Sequence, residues 1–249
     1  YGLHASGFFR GQVVMFGGLV DNQADARYSY DIPDLRTTVS FYNPVTNSWR
    51  AIEQPKARSF HTMVDYNATL YLFGGLADDG PLNDMWYYDT LQSQAGGIRT
   101  EAKWHPVEIN EGAPPMSRYG HCSVVMSNQM YVFGGHTELG PVGDLYRVTL
   151  RESTHFNPVV VSTMRPSPRF GMACHTVTMT YTYLLVFGGF TSGGASDELW
   201  RFEIHSTTWH RVEANGRPPL ARGFFQSVIR WYSPEHREIV YIWGGTTNS

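Results

Sequence analysis

Tyr131-Val132-Phe133-Gly134-Gly135 decides how the rest of the chain is read, because the same phrase returns at a nearly fixed interval. Its other copies are Val13-Val14-Met15-Phe16-Gly17-Gly18, Tyr71-Leu72-Phe73-Gly74-Gly75, Leu185-Val186-Phe187-Gly188-Gly189 and Tyr241-Ile242-Trp243-Gly244-Gly245. The first glycines stand 57, 60, 54 and 56 residues apart, a period that marks tandem structural repeats. Each run before the glycines is continuously apolar instead of alternating, which predicts a strand covered on both faces. The first glycine then ends that strand, where a sharp turn favours positive φ.

Other features keep phase with the pairs. A Pro-x-x-Arg unit precedes four of them, ending at Arg58, Arg118, Arg169 and Arg222. A histidine lies 13 residues before the first glycine at His4, His61, His121 and His175. After the pair, Asp84, Asp144 and Asp197 each open an aromatic-rich run, and Trp49, Trp104 and Trp209 follow, with Phe156 in that place in the third copy. Copy two thus offers four strand signals, at about 61–66, 70–73, 85–89 and 104–109. Four short strands covered on both faces and repeated in tandem make a propeller blade. The late tryptophans and the aromatics before the glycines fill the gaps between blades.

The double glycine, the Arg-x-x-His opening and the spaced tryptophan resemble the kelch repeat family, over essentially the whole chain. The resemblance implies an all-β kelch-type β-propeller of four-stranded antiparallel blades in a single domain, 1–249. The blades run at about 1–57, 58–110, 118–161, 169–213 and 222–249, the last one partial. Family propellers have five to seven blades, so the expectation is a fragment, with the outer strands of blade five and a possible sixth blade lying outside these residues. The fourth copy carries about three extra residues, which leaves Met172 and His175 competing for the histidine place.

Composition narrows the function classes. Charged residues are 16% of the chain, against about 25% for a typical domain, and aromatics are 14%. A net charge of −3 without a basic block argues against nucleic acid as partner. The longest apolar stretches, 70–76 and 183–190, are too short to span a bilayer, so the expectation is a soluble chain with no membrane insertion. Two cysteines, Cys122 and Cys174, do not make a disulfide scaffold. Read as buried small hydrophobes, they favour a reducing, cytoplasmic setting, and their replacement by serine is expected to leave activity intact. A sequon, Asn67-Ala68-Thr69, falls at an expected hairpin tip, where a glycan would instead imply secretion.

Four converging histidines would suit a metal, but one residue per blade at a constant position is what a structural role requires. Copper oxidases and sugar mutarotases also resemble kelch propellers, yet no complete catalytic constellation matches here. The three aspartates are expected to cap turns. The expectation is therefore a non-catalytic protein-binding scaffold without cofactor or metal, part of a larger protein or complex. A secreted or surface propeller acting on carbohydrate is the alternative. Strand 2–3 loops and inter-blade links emerge on one side, which places Arg58, Arg118, Arg169 and Arg222 around the channel mouth, where they would grip an acidic peptide. The competing reading is that each arginine braces its own link by bonding nearby carbonyls or an acid such as Asp84 or Asp144. The long first loop, 19–36, adds Arg27, Tyr28, Tyr30 and Asp31 as partner-binding candidates, and the extended 89–103 connection holds Gly96 and Gly97. Structural roles fall to Gly17, Gly18, Gly74, Gly75, Gly134, Gly135, Gly188, Gly189, Gly244 and Gly245, with Trp49, Trp104 and Trp209.

Overall fold

Each glycine-pair phrase forms the second strand of an antiparallel sheet, and its neighbours pair with it in chain order. The computed structural model describes residues 5–17, 38–53, 55–89, 103–150, 154–161, 164–178, 180–232 and 237–247. Every regular element among them is a strand. Arg27, Tyr28, Tyr30, Asp31, Gly18 and His4 lie outside the described residues, as do most of the two extended connections.

The chain divides into two compact units, Tyr1–Glu108 with Met116–Tyr119, and Ile109–Pro115 with Gly120–Ser249. The first unit holds two four-stranded sheets. One comprises β1 (Ala5–Phe9), β2 (Gln12–Phe16), β3 (Thr38–Asn43) and β4 (Ser48–Glu53). The other comprises β5 (Thr62–Tyr66), β6 (Thr69–Ala77), β7 (Gly80–Asp89) and β8 (Lys103–Pro106). Val14, Phe16, Val39 and Phe41 of the first sheet are buried against Leu70, Leu72, Tyr88 and Trp104 of the second.

In the second unit, β9 (Ile109–Glu111) is followed by β10 (Cys122–Met126), β11 (Gln129–Phe133), the short pair β12 (His136–Thr137) and β13 (Gly140–Pro141), β14 (Leu145–Thr149) and β15 (Thr154–Pro158). The next sheet is built from β16 (Ala173–Thr178), β17 (Thr182–Phe187), β20 (Leu199–Glu203) and β21 (Thr208–Arg211), with the short pair β18 (Phe190–Thr191) and β19 (Gly194–Ala195) between β17 and β20. A two-stranded sheet, β22 (Gln226–Tyr232) and β23 (Arg237–Trp243), ends the order. Val124, Tyr131, Phe133 and Leu145 of one sheet pack with Leu184, Val186, Trp200, Phe202 and Trp209 of the next.

Several expectations need correction. The first glycine follows the end of strand two as expected in β2, β11, β17 and β23, each with positive φ there, whereas β6 passes through a bulge between Phe73 and Gly75 and continues in a hairpin with β7 to the pair Ala77–Gly80. In the second unit the same excursion survives as the separate pairs β12–β13 and β18–β19. One sheet has five strands, because β9 pairs in parallel with β15 and Asn110 Oδ1 accepts from the Thr154 amide at 3.0 Å. Residues 109–110, expected to finish blade two, therefore belong to the following sheet. Trp49 was expected to fill a gap between sheets but is 60% exposed, with its ring 5.0 Å from that of Tyr42. The late tryptophan packs back onto the preceding sheet: Trp209 lies 4.9 Å from Phe133 and Trp104 6.4 Å from Phe16. Among the described residues the first unit holds no sheet that precedes β1–β4.

The cysteines also differ from the expectation of free thiols. Cys122 and Cys174 form a disulfide, with Cα atoms 5.9 Å apart. They sit on β10 and β16, the first strands of consecutive sheets, and so face each other although 52 residues separate them. The Asn67-Ala68 turn is exposed, with φ of 49° and 59°, as a two-residue hairpin tip requires.

Trp209→Ala should cost about 3–5 kcal/mol, since its side chain fills the seam between sheets, whereas Trp49→Ala should stay within about 0.5 kcal/mol. Cys122→Ser should cost about 4 kcal/mol on the chain-entropy account of a 52-residue loop. Urea denaturation of the three variants checks all of these; equal losses at the two tryptophans would overturn the seam.

Candidate binding face

Strands alternate direction, so strand 2–3 hairpins and the links into each first strand emerge at the same end of a sheet. The Pro-x-x-Arg units shape these links. Arg58, Arg118 and Arg169 are 2%, 0% and 0% exposed, and Arg222 is half-buried. In all four the Nε donates to the carbonyl two residues earlier, at 3.0 Å: Lys56, Met116, Ser167 and Leu220. In three, Nη1 donates to the carbonyl of the first glycine that follows: Gly74 at 3.0 Å, Gly188 at 3.1 Å and Gly244 at 2.8 Å.

The main chain of the same arginines bonds to the sheet before. Gly75 donates to the Arg118 carbonyl at 2.9 Å, Gly135 to Arg169 at 2.8 Å and Gly189 to Arg222 at 2.8 Å. The arginine amides in turn reach Leu82, Val142 and Ser196 on the strand 2–3 connections. Arg169 and Arg222 therefore each hold the preceding hairpin by the backbone and the following glycine turn by the guanidinium.

Two carboxylates complete the braces. Asp84 accepts from Arg58 Nη1 at 2.5 Å and Nη2 at 2.8 Å, and from Trp86 Nε1 at 2.6 Å. Glu198 accepts from Arg169 Nη2 at 2.6 Å and Trp200 Nε1 at 3.1 Å. Aligned on those tryptophans, Glu198 and not Asp197 is the counterpart of Asp84. Both acids serve as arginine partners rather than as turn caps. Burial works to raise each carboxyl, but the hydrogen bonds from arginine and tryptophan hold both below the ordinary carboxylate range. A ligand carboxylate reaching Arg58 or Arg169 would have to displace one of these partners.

The histidine position is steric. His61 stacks 4.2 Å from Phe16, and a Cβ placed on Gly17 or Gly75 would come within 2.9 Å or 2.8 Å of its ring or Cβ. Met172 makes the equivalent approaches to Gly134 and Gly189, and Phe225 to Gly188 and Gly245. Met172, not His175, thus holds the histidine place in the fourth copy. His175 lies instead on β16, with Nε2 2.9 Å from Ser227 Oγ and its pKa lowered by burial. A place filled by His, Met and Phe in turn does not build a metal ring. Among the described residues no three His, Cys, Asp or Glu gather to hold a metal, and no helix is long and apolar enough to cross a membrane.

What the braces present was not among the sequence-derived candidates. In the second unit, Leu139 at the β12–β13 tip is 87% exposed, and Met164 and Leu220 on the links are 71% and 67% exposed. Arg165 and Arg217 on the same links are exposed as well. The available signal for Leu139, Met164, Arg165 and Arg217 was their lack of phase, while Leu220 stands at the Pro-x-x-Arg position that Met116 holds in the third copy.

These sheets, glycine turns and braces are those of a kelch-type β-propeller. The match to the family described as the KLHDC2/KLHL20/DRC7 Kelch-repeats domain covers residues 98–249. The chain belongs to the kelch-repeat family. Among curated relatives it is 27% identical over 207 residues to the Leucine-zipper-like transcriptional regulator 1 homolog of Drosophila melanogaster, covering 79% of this chain and 19% of the relative. Human Host cell factor 2 is 25% identical over 264 residues, covering 97% of this chain and 30% of the relative. Acyl-CoA-binding domain-containing protein 5 of Arabidopsis thaliana is 26% identical over 196 residues, covering 76% and 29%. The chain thus spans less than a third of the length of each of these relatives.

Arg58→Met should cost about 3 kcal/mol, the lower end for a broken buried pair, because the Asp84 side chain keeps 38% exposure. Asp84 and Glu198 have depressed folded-state pKa values, so their contribution is fully present above the unfolded carboxylate pKa and fades as pH falls through the lower folded values. Urea midpoints should therefore drop below about pH 5, and Asp84→Asn should flatten that slope; an unchanged slope would remove Asp84 from the brace.

Proposed function

We propose that the chain is a non-catalytic protein-binding scaffold, part of a larger protein or complex, whose partner lies across the hairpin-and-link side. The observation that carries this reading is the contrast on that side. Arg58, Arg118 and Arg169 are buried in internal bonds, while Leu139, Met164 and Leu220 project into solvent from rigid supports. Exposed apolar side chains beside exposed Arg165 and Arg217 suit a partner segment that is both acidic and apolar. Arg169 and Arg222 set the positions of these groups through their link bonds, Arg58 and Arg118 brace the first unit, and Arg222, half-buried and with no acid partner among the described residues, is open to a ligand carboxylate. The first loop, with Arg27, Tyr28, Tyr30 and Asp31, stays in the proposal as a second contact element. No cofactor enters the reading, and a cytoplasmic location is part of it. The cysteine count no longer supports that location, since both thiols are bonded.

The test is affinity capture from native lysate with quantitative mass spectrometry. Leu139→Asp combined with Arg217→Glu should lower recovery of the wild-type partner at least about tenfold, the effect of losing about 1.4 kcal/mol, with an unchanged melting temperature. Recovery that persists would place the partner elsewhere. A mass shift on endoglycosidase treatment, tracing a glycan to Asn67, would overturn the cytoplasmic location.

A further inference from the structure

The residue two before each link arginine is fixed at its backbone and free at its side chain. In all four links its carbonyl accepts from the arginine Nε at 3.0 Å, while the side chain of Lys56, Met116, Ser167 or Leu220 is exposed. At Ser167 the exposed group is a hydroxyl. It stands between Pro166 and Pro168, with Arg165 and Arg169 two residues to either side. Pro166 is buried and Pro168 exposed, and residues 164–167 lie between β15 and β16 and belong to neither. A residue before proline is confined to extended backbone, which is the form a peptide takes in a kinase cleft. A following proline, which has no amide hydrogen, is what proline-directed kinases select. Arg169 already reaches this hydroxyl. Its Nη2 donates to Ser167 Oγ at 3.1 Å and to Glu198 Oε2 at 2.6 Å, while Nη1 is engaged with the Gly188 carbonyl at 3.1 Å. One nitrogen of a wholly buried guanidinium thus serves two oxygens. Arg58, by contrast, gives both Nη atoms to Asp84. Glu198 has a second cation in reach, with Arg211 Nε 3.9 Å from its Oε1.

We propose that Ser167 is a phosphorylation site for a proline-directed kinase, and that the added phosphate takes Arg169 Nη2 from Glu198. The γ-phosphoryl group of a nucleoside triphosphate passes to Ser167 Oγ. The bond from the γ-phosphorus to the β–γ bridging oxygen breaks, and a phosphorus–Oγ bond forms. The hydroxyl proton goes to the catalytic base of the kinase, and the nucleoside diphosphate leaves with the electron pair. The phosphate carries about −2 charge at pH 7, against the single charge of Glu198, and it is tethered beside the donor, so it holds the shared nitrogen. Glu198 keeps its bond from Trp200 Nε1 and turns to Arg211. The modification therefore moves the anionic end of the brace from the β19–β20 connection onto the link itself. The site goes beyond the partner reading and does not depend on it, although the same link carries Met164 and Arg165.

The test treats the purified chain with a proline-directed kinase and magnesium ATP and maps phosphate by tandem mass spectrometry. Phosphate is expected on Ser167, is absent from that peptide in Ser167→Ala, and enters at least about tenfold more slowly in Pro168→Ala. No phosphate, or phosphate confined to Ser233 in the other Ser-Pro pair of the chain, overturns the site. Capture by Arg169 has its own readout. A phosphate bound by arginine has a folded-state pKa below its unfolded value of about 6, so its contribution is present above that pH and is lost as pH falls through the folded value. The urea midpoint of the phosphorylated chain should therefore begin to fall near about pH 6, about one pH unit above the unmodified chain. Ser167→Ala, which loses only an exposed hydroxyl, should keep the unmodified profile after the same kinase reaction. A phosphorylated chain whose midpoint stays level or rises between about pH 6 and about pH 5 overturns the capture.

Discussion

The two-sided bonding of the link arginine is the constraint on which the described architecture depends. A sheet in this fold has few covalent reasons to keep a fixed angle to its neighbour, since one short link joins them. Arg169 removes that freedom: its amide and carbonyl are tied to Val142 and Gly135 of the sheet before, while its guanidinium reaches Gly188 and Glu198 of its own sheet. A guanidinium can do this because its donors lie in a rigid plane, and a buried cation with no acid beside it would be costly. The glutamate or aspartate after strand two is therefore part of the same device. So is the first glycine, whose backbone carbonyl is offered inward at positive φ.

That device dictates what the neighbouring positions hold. The Arg169 carbonyl and the Met172 side chain press on Gly134 so closely that a Cβ there would come within 2.7 Å of each. The residue three after the arginine needs only bulk and reach, which is why His61, Met172 and Phe225 serve equally. Hydrophobic cover then comes from two directions. The apolar second strand is buried on both faces in β11, whereas Met15 of β2 and Tyr241 and Trp243 of β23 stay exposed, and the late tryptophan closes the seam with the sheet before. The Cys122–Cys174 bond ties the first strands across one of those seams, adding a covalent contact to a packing contact already made by Val124, Val186 and their neighbours.

Much of this was legible in the chain. Five glycine pairs in phase define the second strands, and the four antiparallel strands of each complete sheet follow from the marks between them. What was not legible has physical causes. His175 has the right count of residues before its glycine but the wrong place, because the β16–β17 hairpin absorbs the extra residues of the fourth copy. Glu198 was passed over for Asp197 because the alignment followed residue type, whereas the arginine selects by distance. The disulfide was hidden by a 52-residue separation, although the shared phase of Cys122 and Cys174 on consecutive first strands was the signal for it. The parallel strand β9 carries no periodic pattern at all: it forms because the link passes alongside β15, and three residues cannot advertise that. Trp49 obeyed the repeat in sequence and not in burial, since burial depends on a preceding sheet.

The same distinction separates architecture from recognition. A residue that recurs in phase meets the same surroundings in each sheet, so its chemistry is answered by the repeat itself: arginine by glycine carbonyls and an acid, histidine or its substitutes by a glycine pair. Such residues have little left to offer a partner. Leu139, Met164, Arg165 and Arg217 have no counterpart in the other copies, and they sit on a hairpin and links that the braces hold still. An apolar side chain at the tip of a two-residue-wide hairpin gains nothing for folding while 87% of it faces water. Its burial can come only from another surface. Rigid supports lower the entropy lost when that surface arrives. On the proposed reading the bracing arginines contribute to binding by fixing where the exposed residues stand, and the specificity rests with the residues that break the repeat.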